Sequence, residues 1–392
     1  MATLGILIAE LMLKSASLSM LATLERAFTR KPPALAGIRN FLLLQYPQAL
    51  GTAVHTTPLF SALRAVFPEA NIAAAAGGYA LDILQGNPNL DRLVATPSPL
   101  TDMRSAVRAL REARFFDGKP CAVLQTTGNE RSRIALAALR SGFHSRIGFT
   151  VAPQLSAAPL LYDPQLSQIA NNLRLVELLG RGKALQKRLE INPDLLEPRV
   201  YPSQRDFTAA RGLLREQRID EARPIVVFLT QTSPTQRKSW RAERFRIIAE
   251  WLDRDFGMQI VFAGSAAESA AIERLRGSLS FRAANLAGQT SVPELAALLS
   301  VADIALTLDT GPMHLARAVR LPMVVIAPAW SPAIEWLPLG NPRARILKKA
   351  DLPSAPTDYT IDEVTVEDVK QGLRELLAAY PPRRFTWRAN YA

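Results

Sequence analysis

The chain contains a single cysteine, Cys121, among 392 residues. No disulfide framework can form within it, which fits a reducing compartment. Lying in the apolar run Cys121-Ala122-Val123-Leu124, this thiol reads as a small buried hydrophobe rather than a nucleophile. Histidine is nearly as scarce, with only His55, His144 and His314. No His/Cys cluster has metal-ligand spacing, so no structural zinc site is expected. Acidic residues are outnumbered, 35 against 47 Lys and Arg, giving a formal net charge of +12 and a pI near 10.2. That excess points to an anionic partner: nucleic acid, a membrane surface or a phosphorylated substrate. The basic residues form no long block and no nucleic-acid motif accompanies them, so no nucleic-acid partner is expected. Long apolar runs are also missing. Residues 1–13 are apolar around Glu10 but too short to span a bilayer. They also lack the basic start and small-residue cleavage site of a signal peptide.

What is present is a repeated alternation of apolar strand-like runs with amphipathic helical segments, 48% apolar and 21% charged overall. Leu4, Leu7, Leu11, Leu18, Leu21 and Phe28 recur at helical spacing and predict an N-terminal amphipathic helix within residues 1–37, packed on its own domain, on a partner or on a membrane. A first domain, 38–180, opens with the strand Phe41–Leu44. It continues through a helix from Val54 to Arg64, a strand Asn71–Ala76, a helix Met103–Arg114 and the strand at Cys121–Gln125. Residues 181–223 are polar, interrupted by Pro193, Pro198 and Pro202, and read as a connector with a helix around Phe207 to Gln217. A second domain, 224–350, begins with Ile225–Leu229 and repeats the pattern. Residues 351–392 supply a C-terminal helix, Thr365 to Tyr380, and a basic tail. Strands and helices in this alternation predict parallel sheets covered on both faces. The fold class is therefore α/β, with two Rossmann-like doubly wound domains facing across a cleft.

The most informative stretch is Asp309-Thr310-Gly311-Pro312-Met313-His314-Leu315-Ala316. A strand precedes it and a helix follows. Gly311 permits a tight turn, and Pro312 suits the first helical turn, where its missing N–H costs nothing. Spare N–H groups at such a terminus attract phosphate, and ligands bind at the carboxyl ends of strands in open α/β sheets. An ordinary βα turn capped by Asp309 would look the same in isolation. Lys238, in the loop after Ile225–Leu229, is a cation for a phosphate. Glu268, after the strand ending Ala263-Gly264, is a carboxylate for ribose hydroxyls. Each taken singly is also an ordinary solvated charge. Together they predict a nucleotide-diphosphate site.

These segments, with Leu50-Gly51-Thr52-Ala53-Val54-His55-Thr56-Thr57-Pro58, Gly128-Asn129-Glu130-Arg131-Ser132, Arg146-Ile147-Gly148-Phe149 and Asn285-Leu286-Ala287-Gly288, occur in an order that resembles the heptosyltransferase family of lipopolysaccharide synthesis, glycosyltransferase family 9. The resemblance covers about residues 38–340. It implies a GT-B architecture and inverting, metal-independent transfer of a heptose from an ADP-heptose donor to a lipid A-linked core acceptor. It also implies a cytoplasmic enzyme, peripheral at an anionic inner-membrane surface, with no cofactor. It places Lys238 at the diphosphate, Glu268 on the ribose, and Asp309, Thr310, Gly311 and His314 around the donor. Thr232, Ser233 and Thr235 become further phosphate-loop candidates. One position departs from the family pattern: Thr52 stands where the family carries the aspartate that acts as general base. Threonine is no base of that strength. His55, one helical turn on, is the nearest substitute, although packing is an equally ordinary role for it. Two rival readings follow, a catalytically silent nucleotide-sugar-binding homologue and a membrane-surface scaffold.

Overall fold

The computed structural model describes residues 17–20, 23, 37–230, 238–349, 351–357 and 359–382. The chain divides into two units, Met1–Pro198 and Arg199–Ala392. Most of the N-terminal extension, the candidates Thr232, Ser233 and Thr235, and the basic tail from Arg383 lie outside the described residues.

The first unit carries a six-stranded, all-parallel sheet. Its strands are β1 (Asn40–Gln45), β2 (Asn71–Ala76), β3 (Arg92–Ala95), β4 (Ala122–Gln125), β5 (Arg146–Phe149) and β6 (Ala158–Leu160), in the order β3-β2-β1-β4-β5-β6. β1 shows why the sequence is apolar without alternation. Phe41 and Leu43 join one buried cluster with Phe60, Leu63 and Val176, whereas Leu42 and Leu44 join another with Leu110 and Ile134. A strand covered on both faces has no polar side to show. Cys121 sits just before β4, and burial pushes its thiol up to about 11, which leaves it inert at neutral pH. Leu18 of the N-terminal extension packs against Ala135, Ala152 and Leu155 of this same unit. Among the described residues no helix is long and apolar enough to cross a membrane.

Two local readings need correction. The helix expected over Val54–Arg64 is two helices, Leu50–His55 and Thr57–Val66. Pro58 has no N–H to donate to the carbonyl of Val54, and the Thr57 hydroxyl takes that carbonyl instead, at 2.8 Å. Residues 181–223, read as a connector with one helix around Phe207 to Gln217, have that helix at Gln204–Glu216 and a second, unexpected one at Gly182–Ile191.

The second unit repeats the design with β7 (Ile225–Leu229), β8 (Gln259–Phe262), β9 (Ala284–Asn285), β10 (Ile304–Leu308), β11 (Met323–Ile326) and β12 (Ala344–Leu347). All run parallel in the order β12-β11-β10-β7-β8-β9. Its core joins Phe228, Phe245, Phe262, Leu306 and Val324 to Val369, Leu373 and Leu376 of the C-terminal helix Val366–Ala379. In each unit the chain adds strands outward on one side and then returns to build the other. The strand order therefore reverses between β1 and β4, and again between β7 and β10. Such switch points open a crevice at the carboxyl ends of the strands, where open α/β sheets take ligands.

Candidate active site

In the second unit, the loops after β7 and β10 flank the switch point. Lys238 is set on the first of them by its neighbours. The Trp240 indole donates to the carbonyl of Val364 at 2.8 Å, and the carbonyl of Ser239 accepts from the N–H of Ile361 at 2.9 Å. Asp309 follows β10. Its Oδ2 lies 2.6 Å from Lys238 Nζ, with the two side chains only 3% and 13% exposed respectively. The Ser331 hydroxyl donates to the same oxygen at 3.4 Å. The sequence-predicted cation and the sequence-predicted turn are thus one ion pair, 71 residues apart in the chain. A charge pair taken this far out of water is poor evidence of stabilisation, because desolvation offsets much of its Coulomb energy.

The helix Gly311–Ala318 starts directly behind Asp309, with Thr310 as N-cap and Pro312 in its first turn. No side chain among the described residues caps it; Pro312 has no N–H and that of Met313 donates to the Thr310 carbonyl at 3.1 Å, which leaves the N–H of Gly311 in the first turn for an anion. The Thr310 hydroxyl is buried and makes no hydrogen bond to a described residue. His314 lies one turn into this helix, buried, its ring edge-on to Trp336 at 5.9 Å. Burial drives its pKa down to about 4, with Asp309 pulling it up and Arg317 and Lys238 pushing it further down. The imidazole is therefore neutral at pH 7 and adds no charge to the site.

Glu268 follows β8, the neighbour of β7. Its Oε2 accepts the N–H of Ser265 at 2.6 Å, and Ser265 caps Glu268 in return. A Cβ on Gly264 would stand 2.4 Å from that oxygen, so only glycine lets the carboxylate fold back there. Lys238, Asp309, Thr310, Gly311 and His314 form one group, and Glu268 holds the adjoining loop. Trp330 was not singled out by the sequence, yet its ring centre lies 5.4 Å from Lys238 Nζ. A tryptophan between prolines just after a strand was the available signal.

In the first unit, the loops after β1 and β4 are tied by buried amides and hydroxyls. Asn129 accepts the N–H of Tyr46 at 2.7 Å and donates to Thr126 at 2.9 Å, while Gln45 donates to Thr126 at 3.0 Å. Thr52 presents its methyl to Gly128: a Cβ there would fall 2.2 Å from Thr52 Cγ2, and Gly128 has φ +80°. Glu130, two residues on, accepts the N–H of that same glycine at 2.7 Å and is half-buried. His55 is 2% exposed and packed inside the unit, whereas Glu130 retains exposed surface.

Comparison with known proteins gives this geometry a family. Residues 181–356 match the model for glycosyltransferase family 9 (heptosyltransferase). The lipopolysaccharide heptosyltransferase 2 of Escherichia coli K12 is 23% identical over 362 residues, covering 89% of this chain and 97% of that protein. Among solved structures, a glycosyl transferase family 9 protein from Veillonella parvula superposes with TM-score 0.75 at 18% identity, covering 87% of this chain and 98% of the other. The E. coli ADP-heptose lipopolysaccharide heptosyltransferase II does so with TM-score 0.70 at 22% identity, covering 86% and 98%. The architecture is GT-B, built from two Rossmann-like units. The two parallel sheets, the ordered motifs and the match over residues 181–356 agree: the chain is similar to the heptosyltransferases of glycosyltransferase family 9.

Proposed function

We propose that the protein transfers a heptosyl group from an ADP-heptose donor to the core of a lipid A-linked acceptor, with inversion at the anomeric carbon. The observation that carries this reading is the Lys238–Asp309 pair at the switch point, beside an uncapped helix N-terminus. A diphosphate placed there meets an ammonium and the Gly311 N–H at the helix start together. The acceptor hydroxyl attacks the anomeric carbon, the bond from that carbon to the β-phosphate oxygen breaks, and ADP leaves. Lys238 and the helix terminus stabilise the negative charge that grows on the departing phosphate. Asp309 keeps the ammonium aimed, and its three protons allow it to hold the carboxylate and a phosphate oxygen at once. Glu268 receives the ribose hydroxyls with the oxygen not engaged by Ser265. The reading includes no metal, because Lys238 supplies the neutralising charge. It also places the enzyme at the cytoplasmic face of an anionic membrane, in keeping with a net charge of +12.

The attacking hydroxyl must lose a proton. Thr52 cannot take it, and His55 is packed out of reach of solvent. Glu130, hydrogen-bonded to the glycine against which Thr52 packs, is the carboxylate at that place and takes the role of base. A catalytically silent sugar-nucleotide binder remains the rival that Thr52 favours. Calorimetric titration of ADP, UDP and GDP tests the donor site: ADP should bind with a clear preference. Failure of all three nucleotides to bind would remove the transferase reading at its base.

A further inference from the structure

We infer that Trp330 is the platform on which the transferred sugar ring of the donor stacks, an inference that rests on the second unit being a nucleotide-sugar site. The strand order fixes a direction along the carboxyl edge of the sheet. Glu268 follows β8, Lys238 follows β7, Asp309 follows β10 and Trp330 follows β11, and these strands lie side by side in that order. A donor with its diphosphate on Lys238 and its ribose toward Glu268 therefore points its other end toward Trp330. The sugar is bonded directly to the terminal phosphate, so it falls next to the ammonium. Trp330 is there, its ring centre 5.4 Å from Lys238 Nζ.

The ring is also held ready. Its neighbour Ala329 is buried and fixed at both backbone groups: the N–H donates to the Tyr359 hydroxyl at 2.8 Å, while the carbonyl accepts from Leu352 N–H at 3.0 Å and Lys348 Nζ at 2.9 Å. On the other side, Ser331 is buried and bonded to Asp309. Trp330 itself is half-buried, with the Lys238 ammonium lying over its ring. A rigid, partly exposed indole beside a phosphate-binding ammonium suits the C–H face of a pyranose, which is apolar and flat enough to lie against an aromatic ring. Preorganisation of this kind spares the entropy of ordering the contact on binding.

The test compares ADP with ADP-heptose by calorimetry on the intact protein, on Trp330→Ala and on Trp330→Phe. Trp330→Ala should leave ADP affinity within about threefold and weaken ADP-heptose on the order of ten- to hundredfold, the scale of one lost aromatic contact. Trp330→Phe should recover most of that loss, which also shows that the fold is intact. Equal weakening of both ligands would mean that the ring only props Lys238, and would overturn the inference. So would ADP-heptose binding that Trp330→Ala leaves unchanged. If the intact protein binds neither ligand, the donor-site reading fails and the inference falls with it, an outcome distinct from the other two.

Discussion

Replacing Lys238 by methionine separates the structural and functional roles of one side chain. Lys238 Nζ lies 2.6 Å from Asp309 Oδ2, and the two side chains are 13% and 3% exposed. Their removal from water has already been offset by pairing, so deleting one partner strands the other. Among the described residues the only further hydrogen bond to that oxygen comes from Ser331, at 3.4 Å, too long to replace an ammonium. Breaking a buried pair in this way costs about 3–5 kcal/mol. Urea unfolding of Lys238→Met should show a loss of that size. Adding Asp309→Asn removes the stranded charge, and the double variant should regain most of the stability. ADP binding should behave differently. Truncating a charge that contacts a phosphate costs about 2–4 kcal/mol, roughly thirty- to thousandfold in Kd, and the second substitution cannot restore it. Rescue of the fold without rescue of binding is the predicted signature. Stability losses that simply add, or ADP affinity that survives in Lys238→Met, would refute the assignment of this pair to the donor site.

His314 supplies a pH prediction. Its pKa is pushed down to about 4, against an ordinary 6.5, so the unfolded chain binds its proton first as pH falls. Stability should therefore be complete above pH 6.5 and decline towards pH 4, by about 3 kcal/mol at most from this group. His314→Gln should flatten that part of the urea-unfolding profile, and an unchanged slope would locate the titration elsewhere. Glu130→Gln should lower kcat by ~10²–10⁴-fold while ADP affinity stays the same, since a base acts on the acceptor side of the reaction; an unaltered kcat would mean that another group takes the proton. Gly264→Ala brings a Cβ to 2.4 Å from Glu268 Oε2. It should displace that carboxylate and weaken ADP more than inorganic pyrophosphate, and equal effects on both would detach Glu268 from the nucleoside.

The sequence carried most of the sheet because these strands are buried on both faces. Ile225–Leu229 and, after the exposed Asn71, Ile72–Ala76 are unbroken apolar runs between breakers, and the strands are Ile225–Leu229 and Asn71–Ala76. β6 and β12 escaped notice for the opposite reason. Each lies at a sheet edge, is short and is only partly covered, and each interrupts its apolar residues, one with Pro159 and the other with Arg345. The helix Gly182–Ile191 buries only Leu185, so its sequence looks like linker. In the site, the turn at Asp309 was legible because glycine and proline at a helix start have few other uses. Its pairing with Lys238 was not, since contact across 71 residues comes from strand order and not from spacing. Glu130 lay within a recognised segment, but its place beside Thr52 depends on the left-handed turn at Gly128.

The most direct test of the account is transfer itself. The intact protein is incubated with ADP-heptose and a heptose-deficient lipid A-core acceptor, and the acceptor mass and released ADP are followed together. The account predicts that the acceptor gains one heptosyl residue for each ADP released, with the configuration at the anomeric carbon inverted. ADP-heptose that binds and is never consumed, with any available core acceptor, would contradict it and leave a sugar-nucleotide-binding protein in which Thr52 marks the loss of catalysis.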